Sequence, residues 1–473
     1  ATPTTAFAAG QYTFYVTQTD LAGNTSVKTT SSMLNIQTTF IIGSSIANDT
    51  VDNSANATGY VYDMQYGNDT VTAGSGVDIF YDLKNSQTNS LGGSGLGSDS
   101  YVGNTGDDVA YFGAADALND SFNGGAGSDA VYYHGADALI VGDITVTGTQ
   151  SSSTADLLAT AVGTNIGTDS FTNVERYYTG GGNDTINLAN VYSAVTVSGY
   201  TGNDVISTGS GADVVADYGT AFGGGNDTVS MGAGNDTINV GEGGAGTVNS
   251  YDGGDGTDTA QYGGSADNNK ALTFTSTADN VVTVKSSGTD TNGTDTLSNF
   301  ESYYGSLVND LMDFSANTTQ SLAIGGNAGN DTIYASQLAD TIYDNGSTAG
   351  AGSDTIYGLG GNDIFYLGAI DSTNNTYDGG AGHDTASYTG YSSGGLTMTI
   401  TQDSSNNVNA TVVGSGGMGT DTLSSFEAYT GSAVTDTITV TASVTASAVL
   451  PQASLLLYGG GGNDSVDASA ASA

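Results

Sequence analysis

Hydrophobic residues in this chain recur singly inside a nine-residue frame. Residues 222–230 show the frame, and residues 231–239 repeat it directly. In both, Gly-x-Gly-x-Asp predicts a turn with backbone dihedrals that favour glycine. The x-Val/Ile-x triplet that follows predicts a very short strand with one inward residue. Two nine-residue units make one coil, and stacked coils predict a parallel β-roll with its turns aligned in columns.

A longer repeat of about 126 residues is superimposed on this frame, and its aspartates keep their spacing. Asp204, Asp213, Asp227 and Asp236 are spaced 9, 14 and 9. The other copies are Asp331, Asp340, Asp354 and Asp363, and more loosely Asp69, Asp78, Asp99 and Asp108. Equivalent acids lie 23 apart where a plain roll has 18, so we expect residues 217–221 and 344–348 to bulge while the acids still stack.

A second element alternates with the quartets. Residues 168–175, 294–301 and 420–427 share a Thr-Asp-x-apolar-x-x-apolar-Glu pattern, with their glutamates 126 apart. Alternating stretches upstream, such as residues 272–274 and 282–284, predict hairpins of half-buried strands. Each glutamate either completes a cation site or pairs with backbone amides. The tyrosines that follow either pack between coils or form a platform for sugar rings.

The predicted fold is all-β, a parallel β-roll solenoid with inserted hairpins. Alternating apolar residues in 10–26 are similar to the last two strands of an immunoglobulin-like domain, or to a cap on the roll. The predicted domains are 1–35 for this Ig-like remnant or cap, 36–190, 191–316 and 317–442 for three modules, and 443–473 for the start of a further module.

Charge and composition argue against several classes of partner and favour a cation. The 473 residues carry 5 Lys and Arg against 49 Asp and Glu, a net charge of −44, and no cysteine. Such charge argues against nucleic acid and anionic membranes as partners. No apolar run of about 18 residues is present, so membrane insertion is not expected. Only four acids are glutamates, and the short aspartate at a turn suits a cation held close to the backbone.

The nine-residue frame resembles that of the RTX family of secreted calcium-binding repeats, Gly-Gly-x-Gly-x-Asp-x-apolar-x. The resemblance covers roughly residues 60–470 and implies multiple Ca²⁺ ions bound between adjacent coils by the sixth-position aspartate and nearby carbonyls. By that resemblance the metal ligands are Asp69, Asp78, Asp99, Asp108, Asp129, Asp184, Asp204, Asp213, Asp227, Asp236, Asp258, Asp331, Asp340, Asp354, Asp363, Asp384 and Asp464.

Enzyme motifs are weak. Residues 390–394 match Gly-x-Ser-x-Gly, but the next residues predict a strand and not the required helix. The two histidines form no His-Glu-x-x-His motif. We therefore expect no enzyme activity and no catalytic residues.

The favoured function is a secreted, calcium-dependent structural protein of the bacterial cell surface, a surface-layer lattice or an adhesin, that folds on calcium after type I secretion. Its expected partners are calcium, further copies of itself or neighbouring surface components, and cell-surface polysaccharide. Two alternatives stay open: the non-catalytic RTX tail of a secreted polysaccharide epimerase or hydrolase, and a sugar- or ice-binding module.

Overall fold

The computed structural model describes residues 17–19, 25–27, 39–42, 48–64, 67–82, 97–112, 118–135, 138–139, 142–163, 166–217, 224–241, 247–263, 270–286, 293–344, 352–368, 373–403, 407–441 and 455–469. All regular structure in these residues is β-strand. The chain forms two compact units, Ala1–Val191 and Tyr192–Ala473. None of the described residues forms a helix long and apolar enough to cross a membrane.

The strands of the first unit are β1 (Thr17–Thr19), β2 (Thr25–Val27), β3 (Thr39–Ile42), β4 (Thr50–Asp52), β5 (Tyr60–Asp63), β6 (Thr70–Thr72), β7 (Ile79–Asp82), β8 (Ser100–Val102), β9 (Val109–Phe112), β10 (Ser121–Asn123), β11 (Ala130–Tyr132), β12 (His134–Gly135), β13 (Ala138–Leu139), β14 (Ile144–Thr149), β15 (Leu158–Gly163), β16 (Gly167–Thr172), β17 (Arg176–Gly181) and β18 (Thr185–Asn190).

The strands of the second unit are β19 (Thr196–Thr201), β20 (Val205–Ser207), β21 (Val214–Asp217), β22 (Thr228–Ser230), β23 (Ala233–Gly234), β24 (Thr237–Val240), β25 (Val248–Asp252), β26 (Asp255–Gly256), β27 (Thr259–Gln261), β28 (Leu272–Ser276), β29 (Val282–Ser286), β30 (Thr294–Ser298), β31 (Ser302–Tyr304), β32 (Leu311–Asp313), β33 (Ala323–Gly325), β34 (Thr332–Tyr334), β35 (Thr341–Asp344), β36 (Thr355–Tyr357), β37 (Ile364–Leu367), β38 (Thr376–Asp378), β39 (Thr385–Ser387), β40 (Leu396–Gln402), β41 (Val408–Gly414), β42 (Thr420–Ser424), β43 (Ala428–Thr430), β44 (Thr437–Val440), β45 (Leu456–Tyr458) and β46 (Ser465–Asp467).

Each coil of the first unit contributes one strand to each of two parallel sheets. One sheet runs β4-β6-β8-β10-β16. The other runs β3-β5-β7-β9-β11-β17. Equivalent residues are in register, as with Val71 opposite Tyr101 and Phe80 opposite Ala110. This arrangement confirms the predicted parallel β-roll.

The second unit has the same two-sheet construction. One sheet contains the parallel runs β20-β22-β25-β30 and β32-β34-β36-β38-β42. The other sheet runs from β19 through β21, β24, β27, β31, β33, β35, β37, β39 and β43 to β45.

The predicted hairpins form three antiparallel meanders, each inserted into one sheet of the roll. They are β14-β15-β16, β28-β29-β30 and β40-β41-β42. The last strand of each meander pairs in parallel with the preceding coil, and the first strand pairs with the following coil. Each meander therefore adds two strands to one sheet, while the opposite sheet keeps its ordinary spacing between coils.

Core packing follows the single inward residue of each short strand. Ile333 and Ile356 lie opposite each other on β34 and β36, and both are buried. Burying one such side chain contributes about 1.5–3 kcal/mol. Aromatic residues fill the interior beside the meanders, where Tyr303 and Phe314 have ring centroids 4.9 Å apart and both are fully buried.

The N-terminal interpretation is only partly within the described residues. Strands β1 and β2 pair antiparallel, with Thr17 opposite Val27. Tyr12, Phe14 and Val16, and the turn at Asp20 to Asn24, lie outside the described residues. The Ig-like remnant and the predicted domain boundaries therefore stay predictions.

Candidate metal centres

Several of the turns that carry the aspartates depend on a glycine five residues earlier, as at Asp108, Asp331 and Asp363. A Cβ atom on Gly103 would lie 2.0 Å from Oδ2 of Asp108 and 2.7 Å from the carbonyl oxygen of Gly124. At Gly358 the same point is 2.5 Å from Oδ2 of Asp363 and 2.4 Å from the carbonyl oxygen of Gly379. Glycine thus lets a carboxylate oxygen and a carbonyl oxygen from the next coil approach one another.

A hydrogen-bond ladder joins the aspartates of successive coils. Oδ1 of Asp227 accepts from the backbone N–H of Asp204 at 2.7 Å, and Oδ1 of Asp236 accepts from that of Asp213 at 2.7 Å. We call this the inner ladder. In its further members among the predicted ligands, the backbone N–H of the earlier residue likewise donates to Oδ1 of the later one. These pairs are Asp69 with Asp99, Asp78 with Asp108, Asp108 with Asp129, Asp236 with Asp258, Asp331 with Asp354, Asp340 with Asp363, and Asp363 with Asp384.

The inner ladder confirms that the acids stack although they lie 23 residues apart. Most of the inserted residues, 218–221 and 345–348, are outside the described residues. Two predicted ligands accept from residues that are not themselves predicted ligands. Oδ1 of Asp184 accepts from the N–H of Ile144 at 2.7 Å, and Oδ1 of Asp464 accepts from that of Asp436 at 3.0 Å. Asp464 is partly exposed, whereas the other sixteen predicted ligands are buried.

A second ladder, absent from the sequence-based predictions, runs along the residue just before each aspartate. Oδ1 of Asn203 accepts from the N–H of Asn226 at 2.8 Å, and Oδ1 of Asn226 accepts from the N–H of Val248 at 2.6 Å. This outer ladder is solvent-exposed. Each outer-ladder side chain accepts from a backbone N–H of the following coil, whereas each inner-ladder aspartate accepts from a backbone N–H of the preceding coil. Each turn is therefore hydrogen-bonded to both neighbouring coils. The recurrent Asn-Asp dipeptide was the signal for it.

Many inner-ladder carboxylates keep their second oxygen buried without a hydrogen-bond donor. This holds for Oδ2 of Asp69, Asp108, Asp129, Asp236, Asp258, Asp331, Asp363 and Asp384. A buried charged oxygen left without a partner is costly, and it is the group that a cation satisfies. The residues therefore fit a hard cation bound against these oxygens.

The remaining ligands must come from the backbone. No three acidic or histidine side chains converge on one point in the part of the chain that the structure describes. Ca²⁺ takes six to eight oxygens and accepts backbone carbonyls among them. The carbonyl oxygens that face Asp108 and Asp363 across the first glycine of the turn, from Gly124 and Gly379, are suitable donors.

Burial and neighbouring acids raise the pKa values of these carboxyls. Burial, reinforced by the charges of Asp354 and Asp310, raises the pKa of Asp331 to about 9. Burial likewise raises the pKa of Asp363 to about 8 and that of Asp236 to about 7, with adjacent ladder acids adding to the effect. The metal-free turns thus favour protonated carboxyls, and a bound cation would oppose this.

Several predicted ligands have donors on both oxygens, among them Asp99, whose Oδ2 accepts from the hydroxyl of Tyr101 at 3.2 Å. Asp340 follows no glycines, and its Oδ2 accepts from the N–H of Ser336 at 2.7 Å. Oδ2 of Asp213 accepts from the N–H of Gly209 at 3.1 Å. Their roles as metal ligands stay predictions, and these carboxylates need a cation less than Asp363 or Asp236 does.

The glutamates of the second element end the inner ladder. Oε2 of Glu301 accepts from the N–H of Asp258 at 2.6 Å, and Oε2 of Glu427 accepts from the N–H of Asp384 at 2.8 Å. Glu175 bonds Asp129 in the same way, at 3.0 Å. Pairing with backbone amides, one of the two sequence-based interpretations, is confirmed.

Asparagine can replace aspartate within the inner ladder, in the column that runs through the first and third acids of each quartet. Oδ1 of Asn249 accepts from the N–H of Asp227 at 2.9 Å, and Oδ1 of Asn375 accepts from that of Asp354 at 2.9 Å. Asp120 holds the equivalent position in the first unit, bonding Asp99 N–H at 2.8 Å. The ladder bond therefore needs the side-chain oxygen and not the charge.

The tyrosines of the second element divide between core and surface. Tyr177, Tyr303 and Tyr429 are fully buried, as expected for packing between coils. Tyr178 faces outward at the end of a stack in the first unit. Its centroid lies 4.3 Å from that of Tyr132 with the planes 5° apart. The stacked rings cover the faces that they turn towards each other, so within the stack only the ring edges are open to a sugar.

Buried tyrosine–aspartate pairs were also missed by sequence reasoning. The hydroxyl of Tyr388 donates to Oδ2 of Asp421 at 3.0 Å, and that of Tyr262 donates to Oδ2 of Asp295 at 3.0 Å. The two pairs are related by the 126-residue repeat. That shared spacing was a signal, although nothing in the sequence showed that both partners point inward.

Stacked parallel coils with a carboxylate in each turn define a parallel β-roll of the metal-binding kind. Residues 66–81, 195–216, 223–244, 325–348, 347–369 and 456–471 match the family model of the RTX calcium-binding nonapeptide repeat. The chain therefore carries RTX calcium-binding repeats, and multiple Ca²⁺ ions are their cofactor. Proteins with these repeats are typically secreted. No curated protein matches the chain.

Proposed function

We propose that this chain is a non-catalytic structural module of the bacterial cell surface, in a surface-layer lattice or an adhesin, which folds when it meets calcium outside the cell. The observation that carries the proposal is the inner ladder. It places buried carboxylates with unsatisfied oxygens at equal positions in successive modules, such as Asp236, Asp363 and Asp108. A repeated set of equal sites suits a load-bearing array better than one catalytic centre.

The ladder makes folding depend on a counter-charge. Ladder carboxylates occupy adjacent coils, about 4.8 Å apart. Two ionised carboxylates at that distance repel by about 1 kcal/mol even in bulk water, and more in a partly buried turn. The apolar content of 37% gives a thin core to oppose this repulsion at every coil. Bound calcium supplies the opposing positive charge.

Secretion fits this dependence. At low calcium no cation offsets the repulsion that stacking would create between the carboxylates of Asp236 and Asp258. The chain therefore stays open enough to pass a narrow type I export channel. Outside the cell, Oδ2 of these residues and the adjacent carbonyl oxygens would hold the ion, and coils would then stack in register.

The test is assembly of the purified full chain. With 5 mM calcium as an order-of-magnitude saturating dose for extracellular modules, about tenfold above their usual affinities, we expect ordered sheets or filaments by negative-stain microscopy. Chelator should disperse them. Sheets would indicate a lattice, and filaments an adhesin stalk. A protein that stays monomeric in calcium at high concentration would contradict the structural role.

A further inference from the structure

The outward faces of the three meanders repeat a row of hydroxyls. In each meander the three residues of this row lie directly opposite one another across adjacent strands. The rows are Thr147, Thr160 and Ser170; Thr275, Thr283 and Thr296; and Thr399, Thr411 and Thr422. All nine are exposed or partly exposed. We call the outward side of each meander, with the strand that follows it, the hydroxyl face.

The first and third hydroxyl faces bear no charge. In the first, the outward residues of β14, β15, β16 and β18 are threonine, serine, asparagine, alanine, leucine and valine. In the third, those of β40, β41, β42 and β44 are threonine, serine, asparagine and valine. Leu158, Val162 and Val413 are apolar and exposed on these faces. In a chain of net charge −44, such surfaces are where a second copy can approach without repulsion.

The second hydroxyl face differs at two positions, and the differences match. Lys285 lies opposite Thr273, in the place that Val162 and Val413 occupy in the other faces. Asp313 lies opposite Thr275, in the place of Asn187 and Thr439. Two uncharged positions have thus become a base and an acid in the same face, and Lys285 is one of only five basic residues.

Threonine on an outward strand face is explained by strand propensity alone. Asp313 also has a local role, because its Oδ1 accepts from the N–H of Ser315 at 3.0 Å, as Oδ1 of Asn187 accepts from that of Ala189 at 3.3 Å. Neither strand propensity nor that turn accounts for Lys285, or for the full charge on Asp313 where an uncharged Asn187 serves in the first face. Lys285 and Asp313 are separated by two strand spacings and by two residues along the strands, which sets their Cα atoms about 12 Å apart. At that distance salt largely screens the attraction between two exposed charges of one molecule, so the pair contributes little to its stability. A partner surface that brings opposite charges against Lys285 and Asp313 would let both residues contribute to binding.

We propose that the hydroxyl face is a contact surface between two copies of this chain, related by a two-fold axis. An axis that runs parallel to the face just outside it, passes over β28 between Thr273 and Thr275, and is perpendicular to the line from Lys285 to Asp313 places Lys285 of each copy against Asp313 of the other. Such an isologous contact is self-complementary, and each pair occurs twice.

The same operation on the other faces pairs uncharged residues. It sets Val162 against Asn187 in the first face, and Val413 against Thr439 in the third. No like charges meet in any of the three. A second copy is favoured over a polysaccharide because the lysine and the aspartate complement each other across the axis, whereas a neutral sugar chain offers no counterpart to either.

The inference rests on the proposed structural function, and a charge swap tests it. In full-length protein with calcium, Lys285→Asp and Asp313→Lys alone should each weaken self-association by about tenfold or more, because like charges then meet across the axis. The double variant Lys285→Asp with Asp313→Lys should restore it to within about threefold of the wild type. Sedimentation velocity gives the association constants, and circular dichroism confirms that each variant is folded.

A second set of variants does not depend on the charged pair. Thr160→Asp, Thr283→Asp and Thr411→Asp together place one acid at the centre of each hydroxyl face, and should abolish association. Asn239→Asp, Gln261→Glu and Thr430→Asp add the same charge to the outward side of the opposite sheet in the second unit, and should leave association unchanged.

The outcomes separate the two claims. Assembly that survives both the swapped single variants and the threonine variants overturns the hydroxyl face while leaving the structural function in place. Equal loss in the threonine set and its control points to net charge alone, and also overturns the face. No assembly of the wild type contradicts the function and the face together.

Discussion

The backbone N–H of Asp340 donates to Oδ1 of Asp363, its equivalent in the next coil, across 2.8 Å. The other oxygen of Asp363 is buried without a donor. The two oxygens of the Asp363 carboxylate therefore have different roles. Oδ1 fixes the register of the coils, and Oδ2 lies on the side of the carbonyl oxygen of Gly379. The register bond is available without metal, whereas the second oxygen creates the demand for a cation.

Separating these two roles is possible with Asp363→Asn. The amide keeps the oxygen that accepts from Asp340, as Asn375 does for Asp354. It removes a buried charge and presents an N–H₂ to the carbonyl of Gly379. We expect the calcium-free variant to keep its fold to a higher pH than the wild type, because one buried carboxyl fewer must ionise, and calorimetry to show fewer bound ions.

The control is Asp279→Asn, which removes the same charge from an exposed hairpin turn. It should change neither quantity. An Asp363→Asn variant that binds calcium with the wild-type stoichiometry would remove Asp363 from the set of ligands.

Glycine at the start of the Asp363 turn should be indispensable. Gly358→Ala places a methyl group 2.4 Å from the carbonyl oxygen of Gly379 and 2.5 Å from Oδ2 of Asp363. We expect a loss of about 1–3 kcal/mol in the calcium-bound protein. Gly224→Ala is the matched control, since nothing lies within 4 Å of its added Cβ. Urea unfolding of both variants measures the difference; equal effects would rule out the steric argument.

Stability without calcium should fall as pH rises. The folded-state pKa of Asp331 is about 9, that of Asp363 about 8 and that of Asp236 about 7, all above the ordinary value of 3.8. The folded chain therefore keeps protons that the unfolded chain has released. This contribution is complete below about pH 4 and is lost as pH rises through 7 to 9.

The measurement is urea unfolding of chelator-treated protein in a window that starts at about pH 4 and ends where the metal-free chain no longer folds, which we expect below about pH 8. We expect the free energy of unfolding to decrease across the window, and the calcium-bound protein to show a much smaller decrease. A metal-free stability that is constant or increases with pH would contradict the account of the buried carboxyls.

The buried tyrosine–aspartate pairs should stabilise the roll independently of calcium. Tyr388→Phe removes the hydroxyl that donates to Oδ2 of Asp421 at 3.0 Å. Leaving that buried oxygen without this donor should cost about 1–3 kcal/mol at any calcium concentration. Tyr366→Phe alters an outward ring of the same sheet unit and should cost little. Thermal melting with and without calcium distinguishes the two; a calcium-dependent loss for Tyr388→Phe would link that pair to the metal centres.

Much of this architecture followed from the sequence because each coil is specified locally. The frame in residues 222–239 contains its own turn, its strand and its inward residue, so periodicity was enough to predict the roll and the stacking of Asp204 on Asp227. The hairpin between Leu272–Ser276 and Val282–Ser286 was predicted from alternation in the same way.

What the sequence did not reveal depends on contacts between coils. The periodicity gave no sign that Asn203 would bond forward to Asn226 while Asp227 bonds backward to Asp204, since both are polar turn residues. Nor did it show that each meander enters one sheet of the roll, because a hairpin that projects from the surface has the same alternation. The end of the inner ladder at Glu301 needed the register of β27 against β31.

The central claim is that this β-roll folds only with calcium once its stacked ladder carboxylates are ionised. The most direct measurement is far-ultraviolet circular dichroism of the full chain, titrated from excess chelator into calcium at about pH 8, above the pKa of about 7 to which burial raises the carboxyl of Asp236. We predict a disordered spectrum in chelator and a cooperative change to β-structure as calcium is added, with magnesium ineffective at the same concentration. A β spectrum and unchanged melting temperature in excess chelator would contradict the account.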